Sequence, residues 1–291
     1  MIDRLDWRPR ALASLCALCF ALQLFAGDAA QPAKILFFTK SQRFEHSVIA
    51  QKDGKPSFAE NILNEMGAKN NFTITTTKDG SLITPDYLAK FDAIMFFTSG
   101  DLTADKSKDG SPPLTKEGKA ALIDAVKNGK PFICVHNGLK TFDAGDENEP
   151  YVQMLGGIGI GHGKIQVAKN TCVDTKFPGF ENLKDGVELN EEWYSNKYFS
   201  KDIHVILVQQ TTGMPDGVYL RPPFPATWAR KFGNGRVFVT GIGHLEATWS
   251  NPMFQTLLNG GIQWALGRVN ADITPNIETV TPKYAELPKA K

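Results

Sequence analysis

From Lys34 onward the chain alternates between short apolar runs and stretches of helical spacing. "KILFFT" is a continuous apolar run closed by polar residues, which suits a strand covered on both faces. "SFAENILNEMG" places its apolar positions at helical spacing, with Gly67 read as the stop. "FTITTT" is rich in β-branched residues and predicts a strand. "FDAIMFFTSG" and "PFICVH" are two further apolar runs. Between them, "LTKEGKAALIDAVKNGK" predicts a helix opened by Thr115 and closed by Gly129, with Leu114, Ala121, Leu122 and Val126 along one side. Strand and helix in alternation are the signature of βαβ units and a mostly parallel sheet.

The second half reads differently. "GKIQVA", "IHVILVQQ", "PATWARKF" and "RVFVTGIGH" predict strands with fewer helices between them. The Asn-Gly pair in "KFGNGRVF" predicts an antiparallel hairpin. "NPMFQTLLNGGIQWALG" predicts a last amphipathic helix, with Asn251 as N-cap and Pro252 in its first position. A polar, Pro-containing tail covers residues 269–291 and is expected to wrap the surface or fray. There is no internal repeat, and a single α/β domain over residues 34–268 accounts for the pattern.

Composition changes this picture mainly at the N-terminus. With 291 residues, 32 Lys and Arg against 31 Asp and Glu, and a net charge of +1, the chain can bury a sizeable core. That balance gives no electrostatic reason to propose nucleic acid or an anionic membrane as partner. Arg4, Arg8 and Arg10 precede "ALASLCALCFALQLFAG", which is followed by the small residues of "GDAAQPA". Basic, then apolar, then small is the order of a secretory signal peptide, here residues 1–29 with cleavage after Ala29. The alternative is a membrane anchor, but the run is shorter than the roughly 20 apolar residues that a spanning helix needs. The expectation is therefore an exported protein, periplasmic or extracellular, without stable membrane insertion after cleavage. Cleavage would leave Cys134 and Cys172. An oxidising compartment permits a bridge, but Cys134 lies within an apolar strand, and two buried thiols are expected.

In an open parallel sheet, ligands collect outside the carboxyl ends of the strands. The residues expected there are Arg43, Glu45 and His46 after the first strand, Ser99 and Asp101 after the third, and His136 with Asn137 after the fourth. The second half adds His162 among glycines, the segment Glu191, Glu192, Trp193 and Tyr194, and His244, Glu246 and Trp249 past the last strand. Any one of these histidines is as well read as a hydrogen-bonded structural residue; their convergence points to a site. His204 opens a strand and is read as structural. "GGIGIGHG" contains G-x-G outside any strand–helix unit, so a flexible or tightly turned loop is expected and no nucleotide cofactor. Trp and Tyr beside a carboxylate suit a sugar site, although they serve equally as core. Neither the spacing of H-E-x-x-H nor that of G-x-S-x-G occurs.

Taken in order, "KILFFTKSQRFEH", "DAIMFFTSGD", "FICVHNGLKTF", "GHGKIQV", "EEWY" and "FGNGRVFVTGIGHLEATWSNPMFQTLLNGGIQWALG" resemble the trehalose-utilisation (ThuA-like) family. The resemblance covers roughly Lys34 to Arg268. It implies a flavodoxin-like, class I glutamine amidotransferase-like three-layer sandwich, with a mostly parallel sheet and an antiparallel hairpin in its second half. It also implies a role in disaccharide use, in company with sugar dehydrogenases that make 3-keto sugars. The family's recurrent His, Gly-His-Gly, Glu-Trp-Tyr and Gly-His positions match His136, His162, Glu192–Tyr194 and His244. The family often has an acidic residue directly after the last Gly-His, whereas here Leu245 precedes Glu246. Glutamine amidotransferases carry a cysteine at the strand–helix elbow, where a thiolate attacks the amide carbonyl. Here Cys134 is two positions too early and His136 holds the elbow.

The expectation is an enzyme acting on an oxidised disaccharide or related sugar as isomerase, lyase or hydrolase, with His136, His162, Glu192 and His244 as catalytic residues. His46, Asn137, Trp193, Tyr194 and Trp249 are expected to bind substrate. Either His/Glu acid–base chemistry or a divalent metal (Zn, Mn or Ni) would serve. The partners expected are a small-molecule sugar, a sugar dehydrogenase of the same pathway and, compatibly with the near-zero charge, a second copy of the chain. The alternatives are a non-catalytic carbohydrate-binding or scaffolding module and an amidase using Cys134.

Overall fold

The apolar runs of the first half form β1 (Ala33–Phe38), β2 (Phe72–Thr77), β3 (Ala93–Phe96) and β4 (Phe132–Val135). The second half supplies β5 (Ile158–His162), β6 (Gln166–Cys172), β7 (Val187–Glu191) and β8 (Tyr194–Lys197). β9 (His204–Gln209), β10 (Phe224–Phe232) and β11 (Gly235–Thr240) complete the strands. In this computed structural model the described residues are 1–2, 31–142 and 145–288. The signal segment expected over residues 1–29 lies outside them apart from its first two residues. The chain divides into Met1–Gln31 and Pro32–Lys291, and everything below concerns the second unit. Among the described residues no helix is long and apolar enough to cross a membrane.

Nine strands form one sheet in the order β2-β1-β3-β4-β11-β10-β9-β6-β7. It is parallel from β2 to β11 and antiparallel from β11 outward, through the expected β10–β11 hairpin. Strand alternation divides the core in two. Ile35, Phe37, Ile133 and Val135 pack with Leu63 and Met66 of α1 (Phe58–Asn70), and with Leu258 and Ile262 of a C-terminal helix. Leu36, Phe38, Phe132 and Cys134 pack on the other face. There they meet α2 (Pro85–Leu88), α3 (Lys116–Lys127) and α4 (Pro150–Leu155). The result is a flavodoxin-like three-layer sandwich.

Local signals set most helix ends. Thr115 caps α3 by accepting from Gly118 N at 2.9 Å. After the short α5 (Glu246–Trp249), Asn251 caps α6 (Pro252–Ala265) by accepting from Met253 N at 2.9 Å. Gly67, expected to stop α1, does not: the helix runs on to Asn70, and Asn71 closes it with φ of 57°. A Cβ at Gly67 would lie 2.3 Å from Phe72 O, so the glycine serves the close approach of β2.

One other expectation changes, and the tail takes the first of its two expected courses by wrapping the body. "GIGIGHG" is not a tight loop but β5, which pairs antiparallel with β8 in a separate two-stranded sheet, with an irregularity between Gly159 and Gly161. Glycine is a weak strand former, and backbone pairing with β8 overrides that preference. The tail is anchored as far as α7 (Ile277–Val280), whose Ile277 is buried. Asn276 bonds both Val205 N and Val205 O, at 2.7 and 3.0 Å. The ring of His204 spans Thr274 O and the Asp174 carboxylate, at 2.7 and 2.9 Å, in keeping with its structural reading.

Candidate functional site

The carboxyl ends of the parallel strands deliver three histidines to one place. His46 follows β1 and a short loop, His136 follows β4 directly, and His244 follows β11 after Gly241–Gly243. His136 adopts φ of +45°, a left-handed conformation uncommon for a residue with a side chain. Such a sharp turn from strand to helix projects the side chain beyond the sheet edge. It fits closely here because Gly138 has no Cβ; one would lie 2.7 Å from Cys134 Sγ. Glu192 enters from the opposite side, in the connection between β7 and β8.

Together His46, His136, Glu192 and His244 offer four ligand atoms within 4.8 Å of one another. Three of them form a tight triangle. His136 Nε2 is 3.2 Å from His244 Nδ1 and 3.5 Å from Glu192 Oε2, and the third side is 3.3 Å. A tetrahedral ion with ligand bonds of about 2.0–2.1 Å requires ligand–ligand edges of about 3.3–3.4 Å, so the triangle already has that size. His136 Nδ1 lies 2.9 Å from Gly241 O, to which it donates, and this places the lone pair of the neutral ring at Nε2. His46 is 3% exposed, and among the described residues neither of its ring nitrogens has a hydrogen-bond partner. Burial, reinforced by His136 and His244, depresses its pKa to about 2, so the ring is neutral at physiological pH.

Electrostatics reinforce the cluster. Burial pushes the Glu192 carboxyl upward, but its close contacts with the His136 and His244 rings outweigh it and hold the group far below the usual carboxylate range. Burial likewise works against a charged His244, yet Glu192, Glu191 and Glu246 raise its pKa. Glu191 is fully buried and holds the frame. Its carboxylate accepts from Gly243 N (3.2 Å), His244 N (3.1 Å), Thr248 Oγ1 (2.7 Å) and Glu192 N (2.8 Å). Two adjacent carboxylates therefore sit beside three histidines, and no Lys or Arg is ion-paired to either among the described residues. Glu191 stood in the sequence as one half of a carboxylate pair, with nothing to show that it would become the brace.

A cavity of about 390 Å³ opens onto this cluster through His46 and Glu192. His162 lies on its wall, with Nδ1 3.1 Å from Glu192 Oε1 and a side chain 40% exposed. It thus touches the site from the solvent side and is not one of the four clustered residues. Asn137 and Tyr194 line the cavity as expected, linked by a 2.7 Å bond from the Tyr194 hydroxyl to Asn137 Oδ1. Burial, then Glu192, raises the Tyr194 pKa and keeps that hydroxyl a donor. Trp193 and Trp249, expected as stacking surface, are instead buried at 2% and 0% exposure. Their indole N–H groups donate to Gln166 O and Gly243 O, so neither ring faces the cavity. The exposed ring on the cavity rim is Phe44, at 59% exposure. Sequence reasoning passed it over, because a lone phenylalanine in a polar loop carries no periodic signal.

Residues 34–265 match the sequence profile of the ThuA family, described as trehalose utilisation. The chain belongs to the ThuA family. A ThuA-like protein from Bacteroides uniformis shares 19% identity, over 82% of this chain and 94% of that one, with a TM-score of 0.63. One from Parabacteroides merdae shares 14%, over 84% and 95%, with a TM-score of 0.59. At these identities the likeness shows a common fold. No curated protein matches the sequence.

This ThuA chain keeps no reactive thiol at its elbow. Cys134 is fully buried, and burial pushes its thiol well above the ordinary range. Cys172 is a second free cysteine with its pKa raised by burial to about 11, but it is half-buried, so only Cys134 is the buried thiol expected. Native protein treated with iodoacetamide should leave Cys134 unmodified until denaturant is added. Rapid native labelling of Cys134, with loss of function, would restore the amidase reading.

Proposed function

We propose that this ThuA-family protein is an exported enzyme of carbohydrate metabolism that binds a divalent cation through His46, His136, Glu192 and His244. Its substrate in this reading is a sugar bearing a carbonyl. The observation that carries the proposal is the triangle of His136 Nε2, His244 Nδ1 and Glu192 Oε2, with the unpartnered nitrogens of His46 beside it. A buried polar group left without a partner costs about 1–3 kcal/mol. A cation would engage the His46 lone pair and balance the charge of Glu191 and Glu192. Three imidazoles and one carboxylate form a donor set of borderline softness, suited to Zn, Mn or Ni. The ion would supply Lewis acidity toward a carbonyl oxygen.

The protein's own groups do the rest. His162, half in solvent and in contact with Glu192, is the mobile base: it takes the proton from the carbon next to the carbonyl. Returned to the former carbonyl carbon, with the hydroxyl proton passing from the neighbouring oxygen to the old carbonyl oxygen, the proton completes an isomerisation; delivered to a departing glycosidic oxygen as the carbon–oxygen bond breaks, it completes an elimination. Asn137 is oriented by Tyr194 and can donate its amide N–H groups to a sugar hydroxyl. A sugar dehydrogenase making a 3-keto disaccharide would supply the substrate.

The test is turnover of 3-keto disaccharides by chelated protein, before and after reloading with Zn, Mn or Ni. Activity should return with one of the metals and fall at least about 100-fold in His162→Ala, on the scale of a lost acid–base group. Equal turnover by chelated protein would contradict the metal role. Tight sugar binding with no turnover under any condition would identify a carbohydrate-binding module instead.

A further inference from the structure

Three alternate glycines run along β5 and just past it, and packing explains only two of them. A Cβ at Gly159 would lie 3.1 Å from Tyr194 Cδ1 and 3.2 Å from Leu139 O, and one at Gly163 would lie 2.3 Å from Asp216 Oδ2. At Gly161 it would meet nothing within 4 Å, and the backbone there is not left-handed, so alanine fits without strain. Among the described residues Gly161 is the one glycine for which both statements hold. The others facing open space, Gly54, Gly110, Gly213 and Gly267, all have φ between 68° and 82°. Glycine weakens a strand, so its presence at 161 calls for a reason outside the fold. Gly161 lies on the cavity wall with His162, Glu192 and Tyr194. That wall is pinned on both sides of it. Lys140 Nζ donates to Ile160 O at 3.2 Å, and Gly163 N donates to the Tyr219 hydroxyl at 2.9 Å. The same hydroxyl donates to Trp193 O at 2.6 Å, which ties the end of β5 to the connection carrying Glu192.

We propose that Gly161 is a specificity-determining residue: its bare backbone is the seat of the substrate's sugar ring, and any side chain at 161 would occupy the space the ring fills. The open space carries the inference, since a strand glycine that neither packing nor backbone conformation requires marks the close approach of a ligand. A pyranose laid against the Cα of Gly161 lies beside His162, the proposed base, in the cavity that Glu192 also lines. Asn137, oriented by Tyr194, lines the same space and meets the ring's hydroxyls. The exposed ring of Phe44 offers a further surface for a pyranose face. A volume of about 390 Å³ admits one or two sugar rings and little more, so a methyl group at 161 takes room that the occupant cannot recover elsewhere. This deepens the proposed function, on which it rests for the chemical class of the substrate. Fold and ligand then pull in opposite directions at this residue: alanine stabilises the strand and obstructs the ring.

The test is calorimetric binding of trehalose and its 3-keto derivative to wild type, Gly161→Ala and Gly161→Val, with melting temperature and metal content measured on the same samples. Wild type should bind at least one of the two sugars at millimolar concentration. Gly161→Ala should weaken that binding about tenfold, and Gly161→Val should remove it. Metal content should stay at the wild-type level, and the melting temperature of Gly161→Ala should rise by about 1–4 °C. A purely structural glycine would instead lower the melting temperature on substitution and leave the affinity of the folded protein unchanged. That result, wild-type affinity in both variants, or no binding of either sugar by wild type would each overturn the inference. Failure of the proposed function would show separately, as sugar binding that still responds to Gly161 in protein that takes up no metal and turns over neither sugar.

Discussion

Glu192→Gln should abolish the proposed divalent metal binding while leaving the protein folded. The substitution keeps the shape of the side chain but takes away its charge, along with the oxygen that lies 3.3 and 3.5 Å from His244 and His136. Losing an outer-shell partner of a metal ligand lowers affinity about 10–100-fold, and losing a charged ligand itself should exceed that. Thermal scans separate this from misfolding. At a metal concentration near 100 times Kd, wild type should gain about 2.7 kcal/mol over its chelated form, and Glu192→Gln should gain almost nothing. The metal-free variant should still unfold in one cooperative transition, somewhat below metal-free wild type, since Glu192 gives up its contacts with His136, His162 and His244 but no core packing. If Glu192 were instead a general base without metal, the variant would lose turnover while wild type showed no metal-dependent stabilisation at all.

Glu191→Ala costs the fold as well as the site. Among the described residues its buried carboxylate is the only acceptor for the N–H groups of Gly243 and His244, and it also takes the Thr248 hydroxyl and the Glu192 N–H. Each buried donor left without a partner costs about 1–3 kcal/mol, and relaxation makes the total less than the sum. A loss of about 3 kcal/mol or more in urea unfolding is expected. The same bonds set the positions of His244 and Glu192. Metal affinity of the still-folded protein, measured at low temperature, should therefore fall about 10–100-fold. Glu191→Gln retains one acceptor oxygen and should recover part of both losses. A variant that is destabilised yet binds metal with wild-type affinity would reduce Glu191 to a purely structural residue.

The parallel half of the sheet was readable because its strands are continuous apolar runs separated by capped helices, and β1, β3 and β4 lie where those runs predict. The rule that ligands collect at the carboxyl ends places His46, His136 and His244 at one edge from the sequence alone. It could not rank them. His46 was read as a substrate contact and His162 as catalytic, but the loop after β1 folds His46 into the cluster, while β5 holds His162 at the solvent side. That exchange depends on tertiary contacts that no periodicity encodes. Trp193 and Trp249 failed for a related reason. An aromatic residue next to a polar segment can turn to either side, and both turned inward to hydrogen-bond the backbone. The adjacent Glu191 and Glu192 show the same ambiguity in its sharpest form: one braces the loop after β11 and the other faces the histidines.

The central claim is that the four clustered side chains hold one divalent cation. Diffraction from crystals of the protein loaded with Zn, recorded at the metal's absorption edge, tests it most directly. The account predicts one anomalous peak per chain, about 2.0–2.2 Å from a nitrogen of His46, His136 Nε2, His244 Nδ1 and a Glu192 oxygen. A fully loaded crystal with no peak at that position, or with its only peak elsewhere, would contradict it.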